Sequence, residues 1–178
     1  MGYTHYWTFK APDTIKGKHI KIESDYQLAV RQCQRLVKAY NKEIKAIDPK
    51  HPARLAGYSV HTKVNDYLGL EFNGTGDAGH EMFTLRDHWS KNEPMNFCKT
   101  AGKAYDVCVT ACLIVLHHYM GSDLIEVTSD GDASEWEEGL ALAKRILKMN
   151  LSIPETITSG VDEELLTENL AKRGISWV

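Results

Sequence analysis

The first residues of the chain alternate between two types of side chain. From Tyr3 to Lys10, large apolar or aromatic residues and hydroxyl-bearing or polar residues follow each other with a period of two. Because successive side chains of a strand point to opposite faces, this alternation predicts a β-strand. One face carries Tyr3, His5, Trp7 and Phe9, and the other carries Thr4, Tyr6, Thr8 and Lys10. The next segment, Ala11 to Glu23, is predicted to be a loop with a short extended piece near His19 to Ile22.

A spacing of three and four between apolar positions predicts a long helix after this loop. Ser24 and Gln27 form a candidate capping box at its start, and Pro49 marks its end. The apolar stripe consists of Val30, Cys33, Val37, Tyr40, Ile44 and Ile47. Arg31, Arg35, Lys38, Lys42 and Lys45 remain for solvent, so this helix is expected to face a core with one side and solvent with the other.

The middle of the chain is predicted to be rich in strands, because short apolar runs alternate there with turn residues. The predicted strands are Gly57–Thr62, Tyr67–Phe72 and Glu81–Arg86. Residues Asp87 to Phe97 are polar around Pro94 and are predicted to be irregular. The GxGxxG pattern of Gly74–Gly79 precedes a predicted strand, whereas the dinucleotide fingerprint requires a helix. We therefore interpret it as a hairpin or a flexible loop.

The second half of the chain contains the most hydrophobic helix. Tyr105 to Tyr119 is apolar on every side as far as His117, which is typical of a central buried helix. A strand is predicted at Asp123–Thr128. Further elements are a capping box of Ser134 and Glu137, the helix that holds Trp136, and a short C-terminal helix at Asp162–Lys172.

The predicted order is β-α-β-β-β-α-β-α followed by a C-terminal helix. Consecutive strands favour an α+β fold, with a mixed or mainly antiparallel sheet and two or three packed helices. We expect a single domain over residues 1–150. Residues 151–178 are expected to form an extension whose short helix packs on the domain or on a partner subunit.

Composition narrows the possible functions. The 178-residue chain has a formal net charge of −3 and 43% hydrophobic residues, and no basic face that would bind bulk nucleic acid. No apolar run reaches the roughly 18–20 residues of a membrane span, and residues 1–7 lack the regions of a signal peptide. The four cysteines show no CxxC spacing and are interpreted as core residues in a reducing compartment. A cytoplasmic location is expected.

The segment from Asn96 to Asp106 brings Lys99, Thr100 and Lys103 to the start of the most hydrophobic helix. A helix N-terminus carries about +0.5 charge and unpaired N–H groups, so lysine there is unfavourable unless something negative is nearby. This predicts an anion site, most simply for phosphate. In the alternative interpretation both lysines are solvated or pair with acids such as Asp106.

Aromatic residues suggest a second part of the same site. Tyr3, His5 and Trp7 on the first strand, together with Tyr105, would stack on a base or a ribose. Arg86 and His80 are predicted as secondary contacts. A P-loop, a GxSxG elbow and any recognised metal-ligand spacing are missing from the sequence, so no cofactor and no metal is expected.

At Met1–Trp7, and again at Phe97–Thr100 with Tyr105 and Asp106, the chain resembles uncharacterised small proteins encoded by tailed bacteriophages and prophages. The resemblance extends from the first strand to the helix that holds Trp136. It implies a role against host defence, since some such proteins look like sponges for nucleotide-derived immune signals, such as cyclic dinucleotides or cyclic ADP-ribose species. It also implies a location in the host cytoplasm.

Three hypotheses follow. The favoured one is a non-catalytic protein that binds and sequesters a nucleotide-like or phosphate-bearing small molecule, with Trp7 lining the site outside the deepest core. The second is an enzyme that hydrolyses or modifies a nucleotide or phosphoester, with His80, Glu81, Asp106 or Asp130 in acid–base or metal roles. The third is an inhibitor that binds a host protein through an exposed aromatic patch. A homo-oligomer is compatible with each of them.

Overall fold

The computed structural model describes residues 3–10, 18–60, 69–86 and 95–158 of the chain. Within these ranges two antiparallel sheets of three strands each are packed with helices. The elements are β1 (Thr4–Phe9), α1 (Lys18–Ile47), β2 (Leu55–Val60), β3 (Leu70–Gly74), β4 (Phe83–Leu85), β5 (Met95–Lys99), α2 (Asp106–Met120), β6 (Ile125–Ser129), α3 (Ala133–Leu147) and α4 (Glu155–Thr158). This architecture confirms the predicted α+β class.

The first sheet has the order β5-β1-β6, and the second has the order β2-β3-β4. In the first sheet His5 lies opposite Cys98 on one side and Ser129 on the other. Residues directly opposite each other share a face of the sheet, so these three side chains point to the same side. The rings of Trp7 and Phe83 lie 5.3 Å apart and join the two sheets in one core.

Helix α2 is the centre of the core, as its all-round apolarity predicts. Every residue from Cys108 to Leu116 is buried, and the helix packs against both α1 and α3. The contact with α3 is very close. A Cβ atom on Gly139 would lie only 2.2 Å from Thr110 Oγ1, so a glycine is required where the two helices approach.

The start of α1 corrects the sequence prediction. The helix begins at Lys18, so the predicted loop up to Glu23 and the extended piece near His19 to Ile22 are wrong, and Ser24 does not cap the helix. The apolar stripe simply continues backwards at helical spacing, because Ile22 and Tyr26 are both buried.

The strand β5 is a second correction, since residues 95–97 were predicted to be irregular. Met95 and Phe97 are exposed while Cys98 is buried, so apolar residues lie on the outer face, and the usual pattern of apolar inside and polar outside is lost. The remainder of the predicted irregular segment, residues 87–94, lies outside the described residues. Strand β3 also begins later than predicted, at Leu70.

The cap of α3 is a third correction. Asp132 is the N-cap and Glu135 completes the capping box, in place of the predicted pair of Ser134 and Glu137. The Ser134 N–H donates to Asp132 Oδ1 at 2.8 Å, and the Asp132 N–H donates to Glu135 Oε2 at 3.0 Å. The helix is therefore capped by the carboxylate of Asp132, whereas the sequence predicts capping by the hydroxyl of Ser134.

The C-terminal part of the described chain packs on the domain. Ile157 of α4 is buried, and the Thr156 hydroxyl donates to the Val127 carbonyl oxygen of β6. The helix predicted at Asp162–Lys172 lies outside the described residues. Of the helices that the structure describes, none combines the length and the apolarity that crossing a membrane requires.

Candidate functional site

Several element ends meet at one end of the first sheet. Because β1 runs antiparallel to β5 and β6, its start lies beside the ends of both neighbours, and α2 and α3 begin shortly after those ends. The polar residues that meet there are Tyr3, His5, Thr100, Asp106 and Ser129, here termed the His5 cluster. Three of them, Tyr3, His5 and Thr100, belong to the predicted ligand site.

A chain of hydrogen bonds runs through the His5 cluster. His5 Nε2 lies 2.7 Å from Asp106 Oδ1, and Ser129 Oγ lies 2.9 Å from His5 Nδ1. The Thr100 hydroxyl also donates to Asp106 Oδ1. Because a carboxylate can only accept, the proton of the neutral His5 ring belongs on Nε2, and Nδ1 is left to accept from the Ser129 hydroxyl.

The turn after β6 sets the direction of the Ser129 hydroxyl. The Gly131 N–H donates to Ser129 Oγ at 3.0 Å, so the hydroxyl proton remains available for His5. A Cβ atom on Gly131 would lie 2.4 Å from the Tyr3 ring and 2.3 Å from Glu135 Oε2. Glycine is therefore needed to close the turn against Tyr3.

Two aromatic rings flank His5. The centroids of Tyr3 and Trp136 lie 4.9 Å and 5.2 Å from the His5 ring, both in edge-to-face geometry. Within the described part of the chain, the buried Tyr3 hydroxyl and Trp136 Nε1 have no partner at normal hydrogen-bond geometry. Burial, and then the charges of Asp106 and Glu135, raise the pKa of Tyr3 above its ordinary value, so its hydroxyl stays protonated.

The two lysines of the predicted anion site do not meet at the helix start. Lys99 is the last residue of β5, and its main-chain N–H donates to Glu81 Oε2 at 2.8 Å. Lys103 Nζ donates to the Asp77 carbonyl oxygen at 3.0 Å. The first residue of α2 is Asp106, whose carboxylate supplies the negative charge that the helix N-terminus favours.

Tyr105 and His80 differ in their burial. The Tyr105 side chain is completely buried, and its hydroxyl donates to the Glu81 carbonyl oxygen at 2.7 Å. Burial is the main cause that raises the pKa of Tyr105 above its ordinary value. The exposed His80 follows the turn at Gly76–Ala78, which has the loop character predicted for the glycine-rich segment.

A groove of about 740 Å³ is the second candidate site. It lies where β4 and β5, which are edge strands of the two sheets, border each other. Its lining residues are Trp7, Glu71, Met82, Thr84, Arg86, Met95, Asn96 and Phe97. Of the predicted ligand-binding residues, Trp7 and Arg86 are in this lining.

Exposed apolar side chains form the rim of the groove. Met95 is 61% exposed, Phe97 58% and Met82 44%, although all three are large hydrophobic residues. Trp7 lies deeper and is only 2% exposed. Trp7 is therefore part of the core as well as of the groove, which differs from the expectation that it lies outside the core.

Sequence reasoning did not single out Ser129 or the rim residues of the groove. Ser129 ends a strand and is followed by Asp130-Gly131 and a helix, and this strand–turn–helix order was the available signal. Met95 and Phe97 are two positions apart in a segment predicted to be irregular, so nothing in their spacing places them on one face. Recognising either feature requires the bounds of β5 and β6, which only the structure shows.

The four cysteines are free and buried, as predicted for core residues. In the part of the chain that the structure describes, no group of three or more histidine, cysteine, aspartate or glutamate residues could hold a metal ion. Comparison with known protein families, curated proteins and solved structures finds no match to this chain.

Proposed function

We propose that the protein binds a flat, phosphate-bearing small molecule of the nucleotide type in the groove between β4 and β5. The observation that carries this proposal is the rim of exposed apolar side chains around a concave site that also contains an arginine. The size supports it, because small-molecule sites typically enclose about 300–1,000 Å³ and the groove encloses about 740 Å³.

The apolar rim favours a ligand with a planar ring. Phe97 can stack on such a ring, and the thioethers of Met82 and Met95 make favourable contacts with aromatic edges. Covering these side chains would remove apolar surface from water, which contributes about 25 cal/mol per Å². Trp7 lies at the bottom of the groove and limits how deeply a ring can enter.

The charges of the lining favour a phosphate ligand of low net charge over a highly charged one. Arg86 can hold two phosphate oxygens through its planar guanidinium. Glu71 is an acidic residue of the same lining, and it opposes the accumulation of further negative charge. A monophosphate or a cyclic dinucleotide is therefore favoured over a triphosphate.

The chemistry of the lining supports binding without conversion. Among the described residues of the lining there is no histidine, cysteine, serine or lysine, and these residue types are common nucleophiles and general bases. A protein of this kind would act by sequestration. If the chain is encoded by a phage, as its resemblance implies, the ligand would be a host immune signal in the host cytoplasm.

Calorimetry of the purified full chain tests the proposal. Adenosine monophosphate and a cyclic dinucleotide should bind, adenosine triphosphate should bind more weakly, and the ligand recovered after denaturation should be unaltered. Arg86→Ala should weaken binding by roughly 10- to 100-fold, which corresponds to the loss of a charge-assisted hydrogen bond. Arg31→Ala is the matched control, because Arg31 is exposed on α1 and is not in the lining.

Equal affinities of the wild type, Arg86→Ala and Arg31→Ala would contradict the proposal. A converted ligand would instead support the enzyme hypothesis. The exposed rim also favours a protein partner as a second candidate function. A host protein captured by the wild type, and lost with Phe97→Ala while no nucleotide binds, would support that candidate.

A further inference from the structure

We propose that Ser129 is a catalytic nucleophile that cleaves neutral or positively charged carboxylic esters, with His5 as its general base and Asp106 as the group that orients His5. This activity goes beyond ligand binding in the groove and uses different residues. The geometry that carries it is the continuous chain from Ser129 Oγ through both nitrogens of His5 to Asp106 Oδ1.

The distances match those of an activated serine. A nucleophile and its base must lie about 2.6–3.2 Å apart, and a third group must orient the base. Ser129 Oγ lies 2.9 Å from His5 Nδ1, and His5 Nε2 lies 2.7 Å from Asp106 Oδ1. Since Ser129 Oγ also accepts the Gly131 N–H, its own proton is directed to His5.

The Tyr3 hydroxyl is the donor available to a developing oxyanion. It is buried, interacts with the Ser129 side chain, and has no partner at normal hydrogen-bond geometry among the described residues. The main-chain N–H groups around Ser129 already donate to oxygen atoms within the protein. They belong to Asp130, Gly131, Asp132, Ser134 and Glu135.

Acidic side chains around the site select the substrate. The charges that act on the Tyr3 hydroxyl come from Asp106, Glu135 and Asp132. The carboxylate of Asp130 accepts the Thr4 N–H at 3.0 Å, so it lies at the same end of the sheet. These carboxylates repel anionic phosphoesters, which leaves neutral or cationic esters as substrates.

The reaction proceeds in two balanced stages. Ser129 Oγ forms a bond to the ester carbonyl carbon while its proton passes to His5 Nδ1, and the Tyr3 hydroxyl donates to the carbonyl oxygen. The bond to the alcohol oxygen then breaks, and the alcohol leaves with the proton from His5. Water attacks the acyl group in the same way, the bond to Ser129 Oγ breaks, and Ser129 regains its proton as the carboxylic acid leaves.

The two proposed sites lie on opposite sides of β1. Asn96 of β5, which lines the groove, lies opposite Trp7. Ser129 belongs to β6, on the other side of β1, and lies opposite His5. Residues of one site can therefore be changed without removing a residue of the other.

A fluorophosphonate probe tests the nucleophile directly. Peptide mass spectrometry of the labelled full chain should find the probe on Ser129. Ser129→Ala should lose the label, whereas Ser122→Ala should retain it, because Ser122 is an exposed residue before β6. Absence of the label from Ser129 in the folded wild type would overturn the proposal.

Tyr3→Phe provides a second test that does not depend on the stability of Ser129→Ala. It removes a buried hydroxyl and keeps the ring, so the melting temperature should change little. Hydrolysis of acetylthiocholine should decrease by about 100- to 1,000-fold, the usual effect of losing one oxyanion donor. An unchanged rate in Tyr3→Phe would overturn the role of Tyr3, and an unchanged rate in Ser129→Ala would overturn the whole proposal.

Discussion

His5 Nε2 and Asp106 Oδ1 lie 2.7 Å apart although their residues are separated by 101 positions in the chain. This contact fixes the start of the first strand to the first turn of the central helix. His5 is completely buried, and the Asp106 side chain is 14% exposed. The pair therefore holds together the end of the sheet where the polar cluster forms.

Asp106→Ala is predicted to destabilise the protein substantially. The substitution leaves His5 Nε2–H and the Thr100 hydroxyl without their acceptor, and each unsatisfied buried donor costs about 1–3 kcal/mol. The midpoint of urea unfolding measures the loss. Asp123→Ala is the matched control, since Asp123 is exposed. Equal midpoints of the two variants would show that the contact contributes nothing to stability.

Gly139→Ala is predicted to destabilise the protein, although alanine is the better helix former by about 1 kcal/mol. The new Cβ would lie 2.2 Å from Thr110 Oγ1 and 2.9 Å from Ala111 N, so α2 and α3 would have to separate. Thermal unfolding checks this. Ala141→Gly, at an exposed position of the same helix, measures the effect of helix propensity without a change in packing. A Gly139→Ala variant that is more stable than the wild type would contradict the close packing of α2 and α3.

The N-cap of α3 predicts a specific response to acid. Hydrogen bonds from the Ser134 side chain and main chain hold the pKa of Asp132 below its ordinary value of 3.8. Because the unfolded chain then binds this proton more readily, the contribution of Asp132 is fully present above the unfolded pKa and is lost as pH falls through the folded pKa.

Two substitutions separate the charge of Asp132 from its capping role. Asp132→Ala should lower the melting temperature at neutral pH, because the cap is lost. Asp132→Asn keeps an equally good cap without a titrating proton, so its melting temperature should fall less between neutral pH and about pH 3 than that of the wild type. Parallel pH profiles of the wild type and Asp132→Asn would contradict this account.

The sequence predicts those helices and strands in which apolar and polar residues follow a regular pattern along the element itself. The uniform apolarity around Ile114 gives the buried helix α2, and the alternation around Trp7 gives the strand β1. The strand β5 could not be predicted in this way. Its outer face carries Met95 and Phe97, and the reason for apolar residues there is a groove that exists only once the two sheets are packed.

The candidate sites also contain residues that the sequence could indicate and contacts that only the fold creates. Tyr3, His5 and Thr100 were selected as residues with suitable chemistry, and the fold brings them together. Their partner Ser129 lies 124 positions from His5 in the chain, so no sequence spacing could reveal the contact. Lys99 and Lys103 were selected by their distance along the chain from a predicted helix start, but Lys99 ends β5 and Lys103 Nζ donates to the Asp77 carbonyl oxygen.

Fluorine NMR of protein labelled with 5-fluorotryptophan tests the central proposal, ligand binding in the groove, most directly. The chain contains four tryptophans, and Trp7→Phe and Trp136→Phe identify the two resonances that matter. On titration with adenosine monophosphate, the Trp7 resonance should shift to saturation, and Arg86→Ala should weaken the response. The resonance of Trp136, which is buried in α3, should stay in place. A Trp7 resonance that does not move, or a shift of Trp136 in its place, would contradict binding in the groove.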